Sequence, residues 1–291
     1  MKKTRNPLLL FLLCLLVIPV QAVSVVDDNG RTVTLPGPAR RIISAAPHIT
    51  ELLYESGGEG HIAGVTSYSD YPESAKTLPL VGDNRRLDME RVLSLKPDLL
   101  IAWSGGAPVR QIAQLERYGI PVFYSDPKKL EDIPETLIRF GILLGQPETG
   151  REKAAAWRKR LAALKKQYEN RPVLSVFYQV SERPLYTLNG KHIISEGIQL
   201  CGGRNIFSDL AVLAPRVSLE AVLERNPDVI LISGSGGSSS GAAFWQRFSI
   251  VEAVRKHHIF QVDADRMDRP GPRLLEGISA LCGQLEIARK R

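Results

Sequence analysis

Glu90 and Glu220 stand 130 residues apart in two copies of one short pattern, MERVLSLKPDLLIAW from Met89 to Trp103 and LEAVLERNPDVILIS from Leu219 to Ser233. Glutamate, valine, leucine, proline and aspartate recur at the same places, and Arg86 and Arg216 match just upstream. A carboxylate in the first turn of a helix gains roughly 0.3–1 kcal/mol from the helix dipole, so each glutamate suits its helix on structural grounds alone. Duplication adds a second property. If two lobes are related by an approximate two-fold axis, Glu90 and Glu220 are equivalent, and a pair of equivalent carboxylates fits a partner that is itself a symmetric dimer. The other residues with binding chemistry lie at predicted strand ends: SYSDYP from Ser67, and DADRMDRPGPR from Asp263 to Arg273. Tyr68 offers an amphipathic ring face, and Asp265 and Arg269 offer charged hydrogen-bonding groups. That mixture suits a large, partly polar ligand beyond the carboxyl ends of the strands.

Catalytic and metal-binding patterns are absent. The run GSGGSSSG, Gly234 to Gly241, lacks a Lys-Ser/Thr at P-loop spacing and has Ser239 where a dinucleotide loop needs its third glycine, so it reads as a loop at a cleft rim. His257 and His258 are adjacent and point apart on a helix, and no HExxH, HxH or calcium loop exists. There is no GxSxG elbow. No catalytic residue, metal site or resident cofactor is expected.

The elements that must position these residues alternate. Asn29-Gly30 between two β-rich runs reads as a hairpin. RRIISAA, HIAGVTS, DLLIAW and IPVFYS read as strands, each joined to a helix, and LEDIPETLIRFGILLG closes the first half. PVLSVFYQV, DVILIS and IFQVDA are the later strands. SEGIQLCGG is predicted as a helix capped by Ser195, FWQRFSIVEAVRKH as a helical stretch, and the last helix begins near Pro272. Continuous apolar strands flanked by helices argue for parallel sheets buried on both faces. In the repeated pattern Asp88 and Ser218 are the helix caps, and Pro97 and Pro227 the stops. Between the halves, Trp157, Leu161, Leu164 and Tyr168 form one helical stripe ended by Pro172. About 20 residues of helix span ~30 Å, enough to cross between lobes and to limit their motion. An ordinary packed surface helix would show the same stripe.

The chain opens with Lys2, Lys3 and Arg5, an apolar run from Leu8 to Ile18, and Val20-Gln21-Ala22, an export signal cleaved after Ala22. A retained membrane anchor is the alternative. Cleavage lowers the net charge from +7 to +4, too small a surplus for a nucleic-acid partner. Two cysteines remain, Cys201 and Cys282, 81 residues apart. A bridge between them would stabilise the fold by up to about 4.5 kcal/mol on the chain-entropy estimate; two buried free thiols are the other reading.

Taken together, DDNGRTVTLP, RRIISAAPHITELL, SYSDYP, LDMERVLSLKPDLLIAW, CGGRNIF and the GPRLL-to-LC stretch ending at Cys282 resemble the substrate-binding proteins of ABC importers for cobalamin, haem and iron–siderophores, and within them the cobalamin-binding subgroup. The resemblance implies two α/β lobes, each a mainly parallel sheet flanked by helices, joined by one long rigid helix. The expected division is a signal at 1–22, a lobe at 23–148, the connecting helix at 149–171 and a second lobe at 172–291. It further implies a periplasmic, monomeric carrier that does no chemistry and grips a corrinoid between its lobes. Tyr68 and the segment Asp265, Arg266, Met267, Asp268, Arg269 would be the ligand contacts, and Cys201–Cys282 a disulfide. Glu90 and Glu220 would meet arginines on a dimeric permease that works with ATPase subunits. Three positions depart from the subgroup: Asn84 replaces a tryptophan, and Arg266 and Met267 stand where its second contact loop is aromatic. With Arg85, Arg86 and Arg266 nearby, a haem or ferric-siderophore cargo is the alternative within the class. An adaptor or sensor using the same glutamate pair, and an exported α/β enzyme argued from fold analogy alone, are the others.

Overall fold

The computed structural model describes residues 22–234 and 240–290. The predicted export signal, apart from Ala22, and residues 235–239 of the Gly/Ser run lie outside them. The chain enters through an antiparallel hairpin, β1 (Val23–Val26) and β2 (Thr32–Leu35), with Val25 opposite Val33. Asp27 Oδ1 accepts the Asn29 and Arg31 amides across the turn, and Gly30 supplies the positive φ that the reversal requires. The hairpin is fastened to the first lobe by Arg139, whose Nη2 donates to Asp28 Oδ1 at 2.6 Å.

Two four-stranded parallel sheets follow. The first contains β3 (Ile42–Ser44), β4 (Ile62–Val65), β5 (Leu99–Ala102) and β6 (Val122–Tyr124), in spatial order β4-β3-β5-β6. The second contains β7 (Leu174–Gln179), β10 (Gly203–Asn205), β11 (Val229–Gly234) and β12 (Ile259–Asp263), in order β10-β7-β11-β12. A two-stranded ribbon, β8 (Ser181–Glu182) and β9 (Leu185–Tyr186), branches off after β7. In chain order within each lobe, both sheets read second, first, third, fourth. The repeated pattern supplies the third strand each time. Every residue of β5 and the first three of β11 are buried, which is why they are written as continuous apolar runs rather than alternating ones.

Helices α1 (Pro47–Glu55), α2 (Met89–Ser94), α3 (Val109–Arg117) and α4 (Asp132–Leu143) belong to the first lobe. The connecting helix α5 (Pro147–Tyr168) begins at a proline in its first turn, two residues before the expected start. Trp157, Leu161 and Tyr168 are buried along it as the stripe predicts, with Leu164 partly buried. Its first turns lie against α4 so closely that a Cβ on Gly150 would stand 2.6 Å from the Leu137 carbonyl oxygen. Through Trp157, Leu161 and Tyr168 one hydrophobic cluster runs from the first lobe into the second.

The second lobe adds α6 (Ile193–Leu200), α7 (Leu219–Arg225), α8 (Ser240–Trp245), α9 (Glu252–Arg255), α10 (Ala264–Met267) and α11 (Leu274–Lys290). Three expectations are corrected here. The cap of α6 is His192, whose Nδ1 accepts the Ile194 amide, while Ser195 lies inside the first turn and its hydroxyl donates to the Asn189 carbonyl. The helix predicted over SEGIQLCGG stops at Leu200, and its last glycine, Gly203, opens edge strand β10, entered through Gly202 at φ +72°. The stretch from Phe244 to His257 holds only the end of α8 and the short α9, and Trp245, at the end of α8, is buried in the core, where its Nε1 donates to Gln179 Oε1 at 2.7 Å. Cys201, at the end of α6, is disulfide-bonded to Cys282 in α11, with Cα atoms 4.8 Å apart.

Candidate functional site

In each sheet the chain leaves β3 or β7 in one direction and returns on the other side, so the crevice lies beyond the carboxyl ends of the first and third strands. In the first lobe those ends deliver Ala45, Ala46 and His48 after β3, Tyr68 after β4 and Trp103 after β5. Opposite them stand Asp268, Arg269 and Pro270 of the second lobe, and between the two walls lies a recess of about 220 Å³. Tyr68 is held at φ +67° with 78 % of its surface exposed, an uncommon backbone conformation for a bulky residue that presents the ring to the recess. Trp103 donates from Nε1 to Asp126 Oδ1 at 2.8 Å, which fixes its plane, and meets the His48 ring edge-on at 5.9 Å. Burial pushes His48 down to about 4 against a backbone contact with Ser125, and the charge of Arg269 adds to the effect, so the imidazole is neutral.

The second-lobe wall is charged. Arg269, on the loop after α10, spreads its guanidinium over three carboxylates: Nη1 reaches Asp70 Oδ1 at 2.7 Å and Glu51 Oε1 at 3.2 Å, and Nη2 reaches Asp265 Oδ1 at 2.7 Å. Arg273 grips Glu51 with both arms of its fork, Nη2 to Oε1 at 2.6 Å and Nε to Oε2 at 2.9 Å, and lies 4.0 Å above the Tyr71 ring. Glu51 is only 3 % exposed, so its charge is tolerated because two guanidiniums from the other lobe answer it. Burial opposes the ionisation of Asp70, but the Arg269 hydrogen bond and charge outweigh it and hold the carboxyl below its ordinary value. Burial pushes Asp268 up; it accepts from the Tyr178 hydroxyl at 3.0 Å and the Ser233 hydroxyl at 2.7 Å, both at the ends of second-lobe strands.

The structure thus brings together Tyr68, Asp265, Asp268 and Arg269 of the expected contacts. It places two others differently. Met267 is 1 % exposed, packed against Gly277 of α11, and supports the loop from beneath. Arg266 turns toward Asp263 and Glu276, at 3.5 and 3.8 Å. Asn84 does line the recess, where the resembling subgroup has tryptophan. Sequence reasoning missed Trp103, Glu51, Asp70 and Arg273. Trp103 had a usable signal, as the first residue beyond a wholly buried third strand; the other three had none beyond their charge.

Glu90 and Glu220 are both exposed in the first turns of α2 and α7. Their caps behave as the sequence requires: Asp88 accepts the Arg91 amide and Ser218 the Ala221 amide. Its own backbone N–H, then the Ser218 hydroxyl, keep the Glu220 carboxyl below its ordinary value.

Residues 42–266 match the family model described as periplasmic binding protein, and the chain belongs to that family. It is a periplasmic binding protein and not an enzyme. Among its relatives is the vitamin B12-binding protein of Vibrio campbellii, 39 % identical over 256 residues that cover 88 % of this chain and 92 % of that one. The crystal structure of the periplasmic vitamin B12 binding protein BtuF of Vibrio cholerae superposes with a TM-score of 0.81 at 38 % identity, covering 87 % of this chain and 99 % of that one. The periplasmic heme-binding protein RhuT of Roseiflexus sp. RS-1, in apo form, gives a TM-score of 0.77 at 26 % identity, over 86 % of this chain and 99 % of that one.

Proposed function

We propose that this chain is the periplasmic carrier of an ABC importer and that it binds cobalamin, or a close corrinoid, as cargo in the cleft between its lobes. The observation that carries the reading is the pairing of walls. Two aromatic faces, Tyr68 and Trp103, stand on one side, and a fixed array of hydrogen-bonding groups around Arg269 and Asp268 stands on the other. A corrinoid has a broad apolar ring system fringed with amides, and such a wall pair can stack on the first and hydrogen-bond to the second. The names of the relatives support the same cargo. Within the cleft, Tyr68, Trp103, Asp268 and Arg269 are the contacts we assign, with Asp265 orienting Arg269. The functional division is a first lobe at 23–148, a connecting helix and a second lobe from 172, acting as a monomer.

Delivery is assigned to Glu90 and Glu220. Each projects from a capped helix at an equivalent place in its lobe, where two arginine-bearing subunits of a dimeric permease could be met at once; the ATPase subunits complete that partner. Calorimetric titration of the mature chain tests the cargo. One-to-one binding of cyanocobalamin is expected, and tight binding of a ferric siderophore or haemin in its place would overturn the reading. Glu90→Ala combined with Glu220→Ala should keep cargo affinity and lower uptake in permease-bearing vesicles by about tenfold or more; uptake at the wild-type rate would remove the docking role.

A further inference from the structure

Related folds carry haem as well as vitamin B12, and a haem differs from a corrinoid in the sign of its periphery. Haem bears two carboxylates, whereas the corrin fringe is made of uncharged amides, and the cobalt centre leaves the ligand neutral or cationic. A cleft that takes an anionic chelate needs a cation whose charge is not already answered. Arg269 is the cation among the residues lining this cleft, with a side chain 11 % exposed, and its charge is already answered by Glu51, Asp70 and Asp265, which take three of its N–H bonds. Glu51 is answered by Arg273 as well, so Asp70 and Asp265 leave the group with one carboxylate in surplus. Asp268 faces the same space and brings no compensating cation. His48, on the opposite wall, is neutral. The remaining arginines nearby are directed elsewhere: Arg266 toward Asp263 and Glu276, and Arg86 into the groove beside Glu90. Arg85 sits on the exposed turn that Asp83 closes, outside the lining of the recess.

We infer that Asp70 is a specificity-determining residue: with Asp265 it saturates Arg269, and the cleft therefore excludes anionic metal chelates and admits neutral or cationic corrinoids. The inference rests on the corrinoid reading above and adds to it the physical basis of discrimination. Asp70 belongs to the first lobe and Asp265 to the second, so the exclusion is assembled only when both walls are in place. A carboxylate of the cargo would have to displace one of them or lie beside it unscreened, and like charges brought together at an interface are strongly unfavourable. An amide oxygen of the cargo can accept from the same guanidinium without that conflict.

The test is a ratio. Wild type, Asp70→Asn and Asp70→Glu are each titrated with cyanocobalamin, which is neutral overall, and with haemin. Wild type should bind cyanocobalamin and exclude haemin. Asp70→Asn should raise the ratio of haemin to cyanocobalamin association constants by about tenfold or more, and Asp70→Glu should restore the wild-type ratio. An Asp70→Asn ratio within about twofold of wild type overturns the inference. So does a variant that loses both ligands together, since Asp70 would then act through the fold. Wild type that binds both ligands equally also overturns the inference while leaving the corrinoid reading standing. Wild type that binds haemin and not cyanocobalamin overturns the functional reading itself, and the inference with it.

Discussion

The two lobes agree at one end of their sheets and part company at the other. At the amino ends, the aspartate of each repeated Pro-Asp does the same thing. Asp98 accepts the Arg40 and Arg41 amides at 2.7 and 3.0 Å, and Asp228 accepts the Ser175 amide and hydroxyl at 2.8 and 2.6 Å, so each ties the third strand to the start of the first. Just before the proline, Lys96 and Asn226 both take a left-handed conformation, φ +47° and +37°, to turn helix into strand. At the carboxyl ends the described residues that face the cleft differ. The first lobe presents Tyr68 and Trp103, the second Asp268 and Arg269. Duplication preserved what makes an αβ unit fold, and the mouths were free to diverge because loop residues there carry little of the packing. A ligand gripped by unlike walls has only one way to sit between them, which two identical mouths would not impose.

The comparison can be broken most sharply at the mouth. Glu51→Ala leaves Arg273 and Arg269 without their shared buried acceptor, and should cost about 3–5 kcal/mol in denaturant unfolding. A loss below about 1 kcal/mol would mean that water replaces the carboxylate and that the lobes are not fastened there. Acid is the next lever, and it acts on both lobes. His48 and His192 stand at the starts of α1 and α6, the helices of the first and second lobe, and burial lowers each from 6.5 to about 4. The unfolded chain therefore binds more protons than the native one throughout that window. Stability is full above about pH 6.5 and falls as pH drops toward 4, by on the order of 2 kcal/mol per histidine at about pH 5. Unfolding midpoints of His48→Gln and His192→Asn measured across that range should each show a flatter pH dependence. Flattening in one variant alone would show that the lobes differ here too. The smallest effect belongs to the shared amino ends: Asp98→Ala and Asp228→Ala should each cost about 1–2 kcal/mol, nearly equal and additive. A severalfold difference between them would end the claim that the two staples are equivalent.

Much of this was legible in the sequence for a physical reason. Buried parallel strands must be apolar throughout, helix caps need short polar side chains, and the repeat at offset 130 carries its caps, stops and tethers with it. The fold was readable from those features, as were the exposed placements of Glu90 and Glu220, while the family came from the resemblance carried by SYSDYP, LDMERVLSLKPDLLIAW and CGGRNIF. What could not be read is what depends on distant partners. The Glu51–Arg273 pair joins residues 222 apart, and no periodicity marks either of them. Asp70 sat in plain view within SYSDYP, yet nothing local announces that it will meet Arg269. Met267 shows the converse error: a loop motif suggested contact, but its apolar side chain is drawn under the loop against Gly277. His192 displaced Ser195 as a cap because a ring nitrogen forced neutral by burial is an acceptor that propensity rules do not anticipate.

The lobes meet along α5, across the Glu51 cluster, where a pocket lined by Glu51, Lys153, Trp157 and Arg273 shows that cluster and the helix to be neighbours, and where the Leu130 amide donates to Glu196 Oε2 at 2.8 Å. Glu90 stands on one lobe and Glu220 on the other, so the spacing between them is set by how these joints hold the lobes. Under the proposed docking, any cargo that shifts the lobes would present the same two charges to a dimeric partner at a different separation, and the partner would read occupancy as a length.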